Sequence, residues 1–247
     1  MLTHAQFRRS IAVAAAAALA VTGLATLGVQ GAVAASAPPT TTVDYLANAY
    51  TALETGHVLR NVTFDYLTRQ YTSSGNTYNP GILRQTGTYA IVLGGPENPS
   101  SQAAIGLIDK VAKAKGVPVV YHFDPKLDGG DLDILDPSIA TNTQDAAFPK
   151  LWDNAGSTSA PGLKDLLKNV DPGYVNSDQT YLLVYNKDHT VDDAGTLVSA
   201  PVVAGVVSAA TTLTGTAGTA YEAQVGAAFD AGLALGEPFR DWSFFDY

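Results

Sequence analysis

The chain has no cysteine, so it can neither close a disulfide nor present a thiolate. Thiol redox chemistry, cysteine-ligated metal sites and cysteine nucleophiles are all excluded. Basic side chains are scarce as well, with 14 Lys and Arg against 23 Asp and Glu. That balance repels nucleic acid and anionic lipid, and neither is expected as a partner. The only methionine is Met1, and histidine occurs at positions 4, 57, 122 and 189 alone, which leaves few groups able to exchange a proton near neutral pH. No Gly-x-Ser-x-Gly sequence occurs, so the nucleophile elbow of an α/β hydrolase is missing. No internal repeat is visible.

The N-terminus carries the clearest signal. Arg8 and Arg9 precede an Ala/Val/Leu-rich run from Ile11 to Val29, and Ala32-Val33-Ala34 offers small residues for cleavage after Ala34. Residues 1–34 are therefore expected to be an export signal. The run is long enough to raise a retained membrane anchor as the rival, but its alanines and the breaks at Gly23 and Gly28 favour removal. No mature membrane span is expected. Gln6-Phe7-Arg8-Arg9-Ser10 is only a faint twin-arginine pattern, and the general secretory route is preferred. Counted from Ala35, 213 residues remain, with 12 basic and 23 acidic side chains and a formal charge of −11. The expected location is extracellular, the expected partner an extracellular or cell-envelope component, and stability must come from the core without disulfides.

Residues 35–42 read as a Pro/Thr linker, and 43–247 as a single domain with decorations at both ends. Val43, Leu46, Ala47, Tyr50 and Leu53 recur at helical spacing before Gly56, predicting an extra N-terminal helix from Val43 to Thr55. Val58 to Leu67 is divided, strand-like in its first half and helical in its second, and Ser73 to Asn76 reads as a loop. Tyr89 to Leu93 is a buried strand bounded by Gly94-Gly95. Ala103 to Lys115 shows a helical apolar face ended by Gly116, and Val117 to Phe123 is a second buried strand. Short helices are expected at Phe148 to Asn154 and Leu163 to Val170. Strands are expected at Thr180 to Tyr185 and Leu197 to Val203, with a turn at Asn186 to His189 and a terminal helix at Ala217 to Leu235.

This order of elements and the run Gly94-Gly-Pro-Glu-Asn-Pro-Ser-Ser-Gln102 together resemble a secreted bacterial branch of the thioredoxin-like superfamily, over about Tyr89 to Val203. The resemblance implies an α/β fold, a thioredoxin-like three-layer α/β/α sandwich, with a strand, a Cys-x-x-Cys turn and a helix at its active site. Here the two cysteine positions fall on Asn98 and Ser101, neither of which can attack or resolve a disulfide. The proline usual before the strand at Thr180 is also missing, for the chain reads Ser177-Asp-Gln-Thr-Tyr181. A non-redox protein follows. The helix N-terminus could still receive a carboxylate or polar ligand through Asn98, Pro99, Ser100 and Ser101, although capping of the helix by Asn98 or Ser100 is the simpler reading.

Beyond Phe123, five aspartates, Asp124, Asp128, Asp131, Asp133 and Asp136, share one Pro/Gly-rich loop. Oxygen donors of this kind suit calcium, with Asp128, Asp131 and Asp133 as weak candidate ligands, but the spacing matches no metal loop and turn aspartates ordinarily bind backbone amides. No other cofactor is implied. Within the resemblance, Tyr121-His-Phe-Asp-Pro125 followed by Leu127-Asp-Gly129 looks like a family signature. His122 ends a buried strand beside Asp124, so a His–carboxylate contact near Ser100 or Ser101 is one reading and a structural histidine the other. Trp242, Phe244, Phe245 and Tyr247 could bind glycan or a partner, or dock as a tail onto the chain's own core. Two functions therefore stand: a non-redox binding or structural protein of the cell exterior, and a calcium- or carboxylate-dependent enzyme using the Asp124 to Asp136 loop.

Overall fold

The most apolar runs of the chain become the centre of one sheet. The computed structural model describes residues 44–78, 81–126, 133–136, 151–154 and 161–242, and the export-signal and linker expectations for 1–42 lie outside them. In chain order the elements are α1 (Tyr45–Ala49), β1 (Leu59–Asn61), α2 (Phe64–Thr68), β2 (Tyr71–Ser73), β3 (Asn76–Tyr78), a 3-10 turn (Ile82–Arg84), β4 (Thr88–Leu93), α3 (Pro99–Lys115), β5 (Val120–Phe123), α4 (Leu163–Leu167), β6 (Thr180–Asn186), β7 (Thr190–Asp193), β8 (Thr196–Ser199), β9 (Val202–Ser208) and α5 (Gly215–Leu233).

Five strands form the sheet in the order β1-β5-β4-β6-β9. β1, β5 and β4 are parallel, and β6 and β9 continue antiparallel, with Ile91 opposite Leu183 and Leu183 opposite Gly205. Every residue of β4, β5 and β6 is buried, because both faces are covered and alternation with polar residues is not needed. Ala90, Val92, Val120, Leu182 and Val184 point to one face, against Ile105 and Ile108 of α3 and Val225 and Phe229 of α5. Tyr89, Ile91, Tyr121, Phe123, Tyr181 and Leu183 point to the other, against Leu67, Ile82, Leu83, Leu163 and Leu167. The architecture is thus mixed α/β, a mixed sheet with helices packed on it. Both long helices share one face, and short helices and loops cover the other. Each fully buried aliphatic or aromatic side chain contributes on the order of 1.5–3 kcal/mol, the main support open to a chain without disulfides.

Several expected boundaries move, each for a local reason. α1 stops at Ala49 rather than running to Thr55, because Tyr50 turns extended (φ −112°, ψ 116°) and its ring is wholly buried. Val58 to Leu67 divides into β1 and α2. The loop expected at Ser73 to Asn76 is instead the reversal of the β2–β3 hairpin, with Ser74 and Gly75 at φ 52° and 80°, the paired positive angles of a tight hairpin turn. Val117 and Val119 are buried but precede β5.

The strand expected at Leu197 to Val203 is interrupted at Ala200-Pro201, since proline offers no amide to a ladder. Its first half becomes β8, paired with β7 in an exposed hairpin that follows the turn expected at Asn186 to His189, where the His189 N–H donates to the Asn186 carbonyl (3.0 Å). Its second half opens β9. Residues 151–154 are not helical; the Leu151 and Trp152 carbonyls accept from the Leu163 and Lys164 amides. Trp242 docks as part of a tail. Its N–H donates to Tyr121 Oη (2.6 Å), its carbonyl accepts from Tyr66 Oη (2.8 Å), and Asp241 pairs with Arg60. Phe244, Phe245 and Tyr247 lie outside the described residues. No described helix is long and apolar enough to cross a membrane.

Candidate functional site

β4 delivers the chain to Gly94 at the C-terminal end of the parallel strands, where the Gly94 N–H donates to the Phe123 carbonyl (3.0 Å). A side chain at Gly94 would run into Ser101 Oγ, and one at Gly95 into the carboxylates of Glu97 and Asp124. The two glycines therefore let this turn fold back onto α3. Asn98 is the N-cap, its Oδ1 accepting from the Ser100 N–H (2.9 Å), and Pro99 occupies the first helical position, where no amide is required.

The same residues close the site. Asn98 Nδ2 donates to the Ser177 carbonyl (2.9 Å), Ser100 Oγ donates to the Asp178 carbonyl (3.0 Å), and Thr180 Oγ1 lies 2.9 Å from both Ser100 Oγ and Ser101 Oγ. One ordering satisfies all three hydroxyls: Ser101 donates to Thr180, Thr180 to Ser100, and Ser100 to Asp178 O. Asn98, Ser100 and Ser101 are each no more than 2% exposed, leaving Pro99 as the outward residue of this group. The side chains of Asn98, Ser100 and Ser101 are spent on joining α3 to the segment that leads into β6. They offer no free nucleophile, and the Ser100 amide that could have met an anion is capped.

His122 is wholly buried on the α3 side of the sheet. Its Nδ1 lies 2.9 Å from Asn61 Oδ1, an acceptor, so Nδ1 carries the proton and Nε2 accepts from Tyr50 Oη at 2.7 Å. Tyr50 Oη also lies 3.2 Å from the Gly94 carbonyl and close to Ser101. Burial lowers the His122 pKa to about 4, keeping the ring neutral at physiological pH. Burial first, then the Asp124 and Glu97 charges, push the Tyr50 hydroxyl well above its ordinary range. The considered His122–Asp124 contact does not form. Both ring nitrogens are taken, and Asp124 Oδ1 accepts from the Lys126 amide at 2.8 Å. Ser101 is linked to His122 only through Tyr50.

Of the acidic loop, Asp128 and Asp131 lie outside the described residues. Asp133 accepts from the Leu135 amide (2.9 Å) and from Ser177 Oγ, while Lys126 pairs with Asp178 (2.6 Å). These are the turn and ion-pair roles usual for loop aspartates. Among the described residues no group of three or more His, Asp or Glu is arranged to hold a metal. Tyr174 Oη, buried near Asp133 with no hydrogen-bond partner among the described residues, is pushed well up by burial.

Sequence reasoning missed Tyr50, Asn61, Ser177 and Thr180 as members of this site. In the sequence Tyr50 is one apolar position of a helical pattern, and a threonine that opens a strand carries no chemical signature. Comparison with known proteins returned no matching family model, no matching curated protein and no matching solved structure.

Proposed function

We propose that the chain is an exported, non-redox protein of thioredoxin-like fold that acts by binding, or as a structural element, at the cell exterior. The fold reading is supported by the unit β4, glycine turn, α3 and β5, followed by the antiparallel β6. The observation that carries the functional reading is the closed network of Asn98, Ser100, Ser101 and Thr180, in which every side-chain hydrogen-bonding group at the redox positions is used internally. Recognition then falls to the outward surface of the same loops, where Glu97, Pro99, Val175 and Asp178 are exposed. Export is supported by Arg8-Arg9, the apolar run and Ala32-Val33-Ala34.

The test is affinity capture from cell-envelope extract with purified protein and a Glu97→Lys/Asp178→Lys variant. A retained component that the variant loses while keeping its melting temperature supports this surface as the recognition face. Equal retention by both proteins removes it. N-terminal sequencing of the extracellular protein should begin near Ala35, and an uncleaved chain recovered in membranes would contradict export as a soluble protein.

A further inference from the structure

Away from the α3 terminus, three basic side chains line one depression in a chain that is acidic overall. A depression of about 340 Å³ lies between the 3-10 turn, α4 and the start of β9, and Arg84, Lys168 and Lys187 line it together with Asp165, Ser199 and Tyr185. Its volume is within the range of small-molecule sites. Arg84 is half-buried. Its Nε donates to the Thr68 carbonyl at 2.8 Å, and it forms no ion pair among the described residues. A guanidinium withdrawn from water without a carboxylate is an energetic cost that a bound anion would remove. Burial already lowers its pKa from the ordinary value. The lone lining carboxylate does not compensate, because Asp165 Oδ2 is held by the Gly162 and Asn154 amides (2.8 and 2.9 Å).

The second observation is backbone strain at Lys168. Its φ of 56° and ψ of −74°, with the Asn169 N–H donating to the Leu167 carbonyl at 2.8 Å, form a γ-turn of the rare handedness, costly for any residue other than glycine. The turn is held by Asn169, whose Nδ2 donates to the Val202 carbonyl (2.7 Å) and whose Oδ1 accepts from the Val202 amide (2.8 Å). The result places Lys168 Nζ at the rim, donating to Ser199 Oγ (3.2 Å). Glycine would relieve that strain, but it would remove the ammonium.

We propose that this depression binds a small oxyanion, a carboxylate- or phosphate-bearing molecule, with Arg84 as the forked donor at its wall and Lys168 as the charge at its mouth, Lys187 being paired with Asp188. The geometry suits Arg84 for bidentate contact and Lys168 for point-charge attraction.

Purified protein is titrated at constant ionic strength with inorganic phosphate and, separately, with glucuronate, followed by calorimetry. Saturable binding of at least one is expected at millimolar concentration or below, and which one binds identifies the oxyanion. Arg84→Gln should weaken it at least tenfold. Lys168→Gly should also weaken it while leaving the melting temperature unchanged or raised, a combination that a purely structural role for Lys168 would not give. Lys110→Gln, which removes the ion pair to Glu222 on the opposite helical face, should leave affinity unchanged. If Arg84→Gln fails to fold, Lys168→Gly decides alone. No saturable binding of either probe, or binding that Lys168→Gly and every folded Arg84 variant leave intact, overturns the proposal.

Discussion

His122 should make the protein acid-labile in a defined window, and the effect can be sized from the structure. The ring is wholly buried between Tyr50 and Asn61, and burial holds its pKa at about 4. In the unfolded chain the ordinary value of about 6.5 returns. Above pH 6.5 the ring is neutral in both states and contributes no pH dependence. As pH falls from about 6.5 towards 4, the unfolded chain takes up a proton that the folded chain refuses, so stability is lost over that interval and levels off below it. At about 1.36 kcal/mol per pH unit the loss comes to roughly 3 kcal/mol, a large share of a typical total of about 5–15 kcal/mol. The assay is urea unfolding from pH 7.5 to pH 4 on the wild type and on His122→Gln. The variant should be less stable at neutral pH by about 1–3 kcal/mol, from unpaired Tyr50 and Asn61. The difference between the two proteins should change by roughly 3 kcal/mol as pH falls, so that the wild type's advantage closes and can reverse, since carboxylates titrate in both. A gap that stays constant, or an imidazole titrating near its ordinary value in the folded protein, would refute the buried neutral histidine.

Three further outcomes follow from packing and capping. A Cβ at Gly106 would approach Ala52 Cβ to 2.8 Å and its carbonyl to 3.0 Å, whereas one at Gly226 meets nothing nearer than Lys115 Cε at 3.7 Å. Gly106→Ala should therefore cost about 1–3 kcal/mol in chemical denaturation, while Gly226→Ala should add up to about 1 kcal/mol from helix propensity. Asn98→Ala removes both the α3 cap and the donor to Ser177 O, and should lower stability by about 1–3 kcal/mol; Asn98→Asp, which keeps the cap alone, should recover part of it. Calcium at millimolar concentration should leave the melting temperature in place, because Asp124 and Asp133 already accept from backbone and serine donors. Saturation a hundredfold above the dissociation constant would instead add about 2.7 kcal/mol, and a shift abolished by Asp128→Ala with Asp131→Ala would assign the loop to calcium.

Much of the sheet was legible because its strands are buried on both faces. Tyr89 to Leu93, Val117 to Phe123 and Thr180 to Tyr185 read as nearly continuous apolar runs, and β4, β5 and β6 fall within or nearly match them. α3 was equally readable from its periodic face and from Gly116, which ends it at φ 68°. What failed was local structure set by tertiary contacts. Nothing in the spacing of Val43 to Leu53 shows that Tyr50 leaves the helix to reach His122. The β7–β8 hairpin is exposed throughout, so burial periodicity could not report it, and only Gly195 in its turn (φ 85°) and Pro201 beyond its end hint at it. At the site, Asn98 and Ser101 could be placed by counting along the turn. Thr180 and Ser177 could not, because their role comes from strand pairing some eighty residues away in sequence.

The central claim is that the side chains at the α3 N-terminus, Asn98 and Ser101 among them, form a sealed structural joint and not a reactive site. Its most direct test is the Asn98→Cys/Ser101→Cys double variant, with intramolecular disulfide formation and reduction followed by mass spectrometry. Residues at the N-cap and third helical position are close enough to bridge, yet both are buried here. The expected result is a folded protein that forms the disulfide, resists reduction by a glutathione buffer and does not reduce insulin. Cysteines that stay as two free thiols under oxidising conditions in the folded protein, or a disulfide that cycles and turns insulin over, would contradict it.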